Sequence, residues 1–236
     1  MQKIIHRSDD RGGADHGWLK ARHSFSFASY QDPSKVHFGK LRVLNDDIVA
    51  PGMGFPAHPH ENMEIVTIPL KGALEHQDSM GHTSVVNPGE IQIMSAGTGV
   101  THSEYNHSKE EPVSLLQIWV FPKIKNIAPR YDQKKFAREE RVNKFQTVVS
   151  PIKEDKGLWI NQDAFFSLCN LEINKTLEYQ LHIKGNGIYM FVIEGKVDTA
   201  GEILNKRDAV GIWETNNIEI KSTEPSEILI IEVPMN

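Results

Sequence analysis

Gly52-Met53-Gly54-Phe55-Pro56-Ala57-His58-Pro59-His60-Glu61-Asn62-Met63-Glu64 is followed further along by Ser95-Ala96-Gly97-Thr98-Gly99-Val100-Thr101-His102-Ser103-Glu104. Each stretch contains a pair of ligand-type residues two positions apart. On an extended chain, residues i and i+2 project from the same face, so His58 can converge with His60, and His102 with Glu104. Pro59 has no N–H to give a ladder, which places the first pair at a strand end, an edge or a bulge. If the two segments are neighbouring strands, all four groups point into one interior. Burying imidazoles and a carboxylate without partners is costly, and one divalent cation would relieve that cost. Three nitrogens and one oxygen, with positions left for water or substrate, suit Fe(II), Mn, Co, Ni, Cu or Zn. The bland alternative is two unrelated polar pairs.

Around these stretches the chain is punctuated like a β protein. Short β-branched or aromatic runs such as Val36–Leu44, Met63–Leu70, Thr83–Val86 and Val113–Phe121 alternate with turn residues, among them Lys71-Gly72, Ser79-Met80-Gly81 and Asn87-Pro88-Gly89. From Thr147 the pattern resumes, with strands expected at Phe165–Ile173, Ile188–Ile193, Lys196–Thr199 and Glu227–Val233. Two phrases repeat between the halves. Ile193-Glu194-Gly195-Lys196-Val197 resembles Pro69-Leu70-Lys71-Gly72-Ala73, and Ala209-Val210-Gly211-Ile212 falls where Glu90-Ile91-Gln92-Ile93 sits. A repeat on this scale points to two similar β-barrels in tandem.

Between them, residues 122–146 carry mixed charges (Lys134, Lys135, Arg138, Glu139, Glu140, Arg141) and no β alternation, and read as a linker with one short helix. The expected organisation is therefore an N-terminal barrel with the metal site at 1–121, a linker at 122–146, and a C-terminal barrel at 147–236. The first 35 residues have no clear assignment.

Composition excludes several classes of function. The net charge is −5 with both signs spread along the chain, which leaves no electrostatic footprint for nucleic acid or an anionic membrane. No run of about 18 apolar residues offers a membrane span. Met1–Asp10 lacks the apolar core of a signal peptide, and the single cysteine, Cys169, has no internal partner; a reducing, cytoplasmic setting is expected. Of the 11 histidines, those outside the two pairs read as surface or hydrogen-bonded structural residues. His76 is the best exception, but it reads as lacking a second ligand-type residue at strand spacing.

The first stretch resembles the first cupin motif: a glycine, five residues, His-x-His, then Glu and a later glycine, Gly72. The second resembles the second cupin motif, in which a glycine-led strand and a tight turn deliver the last histidine. Within the cupins the chain is similar to the pirin family, and to its bacterial quercetin dioxygenase-like members. That resemblance is carried by His58-Pro59-His60, by His76-Gln77-Asp78-Ser79-Met80-Gly81, by Gln92 through Glu104, by Asn45-Asp46-Asp47 and by Pro129-Arg130-Tyr131. It is close over the first two thirds of the chain and looser beyond.

The resemblance implies an all-β bicupin: two jelly-roll-like cupin barrels facing each other, with a metal in the first and a degenerate site in the second. Thr147–Asn236 agrees, holding one histidine, His182, and no His-x-His. It implies His58, His60, His102 and Glu104 as metal ligands, Fe(II) favoured, with Glu104 also the catalytic base. Glu64, the usual motif-one glutamate, is expected to hydrogen-bond around the site. The implied activity is opening of the central ring of a flavonol such as quercetin with O2, releasing carbon monoxide. The bound cation would lower the pKa of the 3-hydroxyl, and Glu104 would take its proton. The alternative is a metal-binding or redox-sensing regulator acting through a protein partner. A monomer is slightly favoured.

Overall fold

The computed structural model describes residues 1–236. The first half builds β1 (Gln2–His6), β2 (Gly12–Asp15), β3 (Leu19–His23), β4 (Leu41–Val49), β5 (Gly54–His60) and β6 (Glu64–Lys71). It continues with β7 (Leu74–Asp78), β8 (Thr83–Val86), β9 (Glu90–Ser95), β10 (Val100–Asn106), β11 (Val113–Val120) and β12 (Arg130–Lys135). The second half builds β13 (Gln146–Ser150), β14 (Leu158–Trp159), β15 (Phe165–Leu171), β16 (Thr176–Gln180) and β17 (Asn186–Glu194). These precede β18 (Lys196–Thr199), β19 (Glu202–Asn205), β20 (Ala209–Trp213), β21 (Asn217–Ser222) and β22 (Ser226–Pro234).

Each half folds as a seven-stranded sheet over a four-stranded one. The first has the orders β12-β9-β6-β11-β4-β3-β2 and β5-β10-β7-β8; the second has β1-β20-β17-β22-β15-β13-β14 and β16-β21-β18-β19. The repeated phrases occupy equivalent places. β9 and β20 match, and the corners after β6 and β17 are Gly72 (φ +72°) and Gly195 (φ +84°), left-handed positions that favour glycine.

Burial follows each strand's neighbours. β7 and β10 alternate, because only one of their faces is covered. β6, β9, β17 and β22 are buried almost throughout: one face lines a barrel and the other packs against the opposite barrel. A single cluster of 26 buried residues joins the two large sheets, with Leu44, Ile68, Ile93 and Ile118 from the first half and Leu168, Phe191, Leu229 and Ile231 from the second. The barrels therefore share a core.

Their interiors differ. The second barrel is filled by 15 residues, including Tyr179, Met190, Val192, Ile218 and Ile220. The first holds only apolar clusters of six and four residues, and between them lie buried Thr67, His76, Gln92, His102 and Glu104.

Two segments depart from expectation. Residues 130–135, read as linker, form a strand that pairs with β9, and the only helical turn there is a 3-10 turn at Arg138–Arg141. Of the charges that suggested a solvated linker, Lys134 and Lys135 are exposed on an edge strand, while Arg138–Arg141 form the 3-10 turn, where Arg141 is buried against Glu227. Residues 2–6 pair with β20 in the second barrel's sheet, while β2 and β3 extend the first barrel's sheet beyond β4. No helix of the chain is long and apolar enough to cross a membrane.

Candidate metal centre

β5 and β10 are antiparallel neighbours at the edge of the first barrel's small sheet, with Thr101 opposite Pro59 and His102 opposite His58. A register shift between His102 and Glu104 then brings Glu104 opposite Phe55. Pro59 is tolerated because β5 is an edge strand. Gly54 allows the close approach: a Cβ there would collide with the backbone oxygen of Glu104 and with Tyr105.

The ligand atoms of His58, His60 and His102 lie within 4.8 Å of one another. The His58 and His102 rings are 4.4 Å apart, and His60 is 4.8 Å from each. His58 Nδ1 donates to the carbonyl of Pro56 at 2.8 Å, which leaves Nε2 bare. His102 Nε2 is buried and has no partner. Burial, and then the neighbouring imidazoles, push His102 down to about 2; burial and His58 push His60 down to about 4. Three converging imidazoles with an orphaned nitrogen at their focus fit a divalent transition metal.

Glu104 connects to this group through His102: His76, His102 and Glu104 also lie within 4.8 Å of one another. Its carboxylate accepts from Gln117 Nε2 at 2.6 Å and Thr67 Oγ1 at 3.4 Å, and burial raises it to about 7. Glu104, His58 and His60 line a cavity of about 310 Å³ with Leu19, Phe27, Phe55 and Trp119. Its polar wall comprises His23, Asn45, Asp47 and Gln117. Burial pushes Asp47 up to about 8. The size and the mostly apolar lining suit a small aromatic ligand.

Several residues of the site were missed or misplaced in the sequence. His76 does have an acidic neighbour at strand spacing: Asp78, two residues on, accepts from its Nε2 at 3.1 Å. Gln117 and Thr67 are neutral residues in apolar strands, with no sequence signal. His23 and Phe27 come from the unassigned N-terminal segment. Glu64 makes no hydrogen bond to the histidines. It accepts from Ser95 Oγ at 2.8 Å and from the Asn161 backbone at 3.1 Å, tying the first barrel to the segment that enters the second. In the second barrel the strands equivalent to β5 and β10 place Tyr179 opposite Ile218 and Leu177 opposite Ile220.

A family model described as Pirin matches residues 5–120, and one described as Quercetinase C-terminal cupin domain matches residues 147–233. The chain is 41% identical over 230 residues to quercetin 2,3-dioxygenase of Escherichia coli (strain K12), covering 98% of each. It is 42% identical over 225 residues to a pirin-like protein of Caulobacter vibrioides, covering 95% of this chain and 96% of that one. The crystal structure of the bacterial pirin YhhW in complex with nickel(II), from Escherichia coli, matches with a TM-score of 0.94 at 40% identity, over 100% of both chains.

Proposed function

The chain belongs to the pirin family, and from that premise we propose that it is a metal-dependent dioxygenase that opens the central ring of a flavonol such as quercetin and releases carbon monoxide. The observation that carries this reading is the convergence of His58, His60 and the unpartnered His102 Nε2 beside an apolar cavity.

His58, His60, His102 and Glu104 are the proposed ligands of one divalent transition metal. Fe(II) is the preferred ion, with Ni, Cu, Co, Mn and Zn as alternatives that the same N/O donor set accepts. When bound, the cation supplies Lewis acidity that lowers the pKa of the substrate's 3-hydroxyl. Glu104 takes that proton, leaving the electron-rich flavonolate that O2 oxidises. Gln117 and Thr67 fix the plane of the Glu104 carboxylate. Phe27, Phe55 and Trp119 hold the aromatic rings of the substrate and keep water from them.

The deciding experiment measures metal per chain, then flavonol loss and carbon monoxide formation under air. Close to one metal with carbon monoxide release supports the dioxygenase. One metal without turnover overturns it in favour of a regulator acting through a protein partner, and no metal overturns the ligand assignment itself.

A further inference from the structure

Behind His102 lies a chain of side chains that the proposed reaction does not use. On β7, which pairs with β10, His76 and Asp78 are both inward-facing and buried. His76 Nδ1 is 3.5 Å from His102 Nδ1, and His76 Nε2 is 3.1 Å from Asp78 Oδ2. Asp78 is itself fixed. It accepts the backbone N–H groups of Met80 and His82 at 2.9 and 3.1 Å, and His82 Nδ1 at 3.0 Å. Gln92 Nε2 approaches His76 Nδ1 at 3.4 Å. Tyr131, from β12, stacks on both His76 and His82, with ring centroids 4.7 and 5.0 Å away.

The proton bookkeeping along this chain has one solution. A neutral imidazole that binds a cation through Nε2 carries its proton on Nδ1. For His102 that proton points at His76 Nδ1, which must then be bare, its one lone pair shared between His102 Nδ1–H and Gln92 Nε2–H. The proton of His76 sits on Nε2, where Asp78 accepts it. Every polar atom of His76 and Asp78 is thereby used, and His102 Nε2 is the atom left free.

We propose that Asp78 and His76 are positioning residues for the metal centre: Asp78 orients His76, whose bare Nδ1 accepts from His102 and fixes the ring with Nε2 turned towards the cation. The proposal rests on His102 being a ligand, as proposed above. Partners of this kind, one bond removed from a metal, set ligand orientation and basicity, and their loss typically lowers affinity about 10–100-fold.

The test titrates Co(II) into metal-free wild-type protein and into the His76→Phe, His76→Gln and Asp78→Asn variants. It follows the visible Co(II) absorption and the dissociation constant, with the melting temperature of each metal-free protein checking the fold. Phenylalanine keeps the stacking on Tyr131 but accepts no proton. It is expected to weaken Co(II) binding about 10–100-fold and to shift the absorption bands. Glutamine, whose side-chain oxygen can accept from His102, is expected to recover part of the affinity, and Asp78→Asn to fall between wild type and phenylalanine. Wild-type affinity and an unchanged spectrum in His76→Phe would overturn the proposal while leaving the ligand assignment intact. So would a glutamine variant no better than phenylalanine. Wild-type protein that binds no Co(II) would overturn both.

Discussion

His102 stands directly opposite His58 across the β5–β10 ladder, with its ring 4.4 Å from that of His58 and its Nε2 buried without a partner. Replacing His102 with Ala is expected to abolish stoichiometric metal. Added Ni(II), which should raise the melting temperature of wild-type protein by binding only the folded state, should leave the variant unmoved. Metal analysis and a thermal melt with and without Ni(II) read this directly.

Glu104 accepts from Gln117 Nε2 at 2.6 Å, a bond that an amide oxygen in the same place can also accept. Glu104→Gln should therefore keep the fold and part of the metal, but lose turnover by about 10²-fold or more, the scale of a lost general base. A glutamine variant with full turnover would remove Glu104 from the base role.

Gly54 lets β5 lie against the backbone of Glu104. Gly54→Ala is expected to force the two strands apart at a cost of about 1–3 kcal/mol, the usual penalty for overpacking. The displaced His58 should also weaken metal binding. Chemical denaturation and a metal titration check the two effects separately, and an unaltered titration would show that β5 can adjust without moving the histidine.

Asp46 and Asp47 are adjacent on β4 and so face opposite ways. Asp46 leaves the barrel and is shared by Arg11 at 3.3 Å and Arg207 at 3.5 Å, linking the two halves of the chain. Its side chain is 11% exposed and that of Arg11 3%. Asp46→Ala strands the buried Arg11 guanidinium, while Arg207 keeps Glu194 at 3.8 Å, and a loss of about 3–5 kcal/mol in unfolding free energy is expected, as for other broken buried pairs. The double variant Arg11→Met, Asp46→Leu should cost less than Asp46→Ala alone.

Glu232, fully buried in the second barrel, predicts a pH effect away from the metal. Burial works to raise its carboxyl, but hydrogen bonds from the His182 ring, the His182 and Ile183 backbone and Asn186 outweigh it and hold the group below its ordinary value. A depressed folded pKa gives stability that is present above the unfolded value, about 4.3, and lost as pH falls through the folded one. Glu232→Gln should lower the melting temperature most near neutral pH, with the gap closing towards pH 3. A gap independent of pH would show that the carboxylate charge contributes nothing.

Much of the first barrel was legible because two periodicities coincide there. The i, i+2 spacing of His58, His60, His102 and Glu104 fixes a common face, and turn glycines such as Gly72 fix the corners. Tyr131 shows where that legibility ends. Its strand carries charges on an exposed edge, so nothing local separates it from a linker, and only pairing with β9 makes it β structure. His76 carries a weaker signal, because its partner Asp78 belongs equally well to the turn that follows.

The sequence by itself determined the all-β class, the tandem repeat and the four ligand-type side chains, since each is encoded in spacing along a chain whose extended geometry is nearly invariant. Tertiary structure alone decided what stands around them. β5 had to meet β10 before His58 could face His102, the sheet holding β11 had to pack over the one holding β10 before Gln117 could hold Glu104, and β1 had to leave its own half to complete the sheet of the other. Those contacts depend on which strands pair, and pairing is set by the packing of the whole core rather than by any local run of residues.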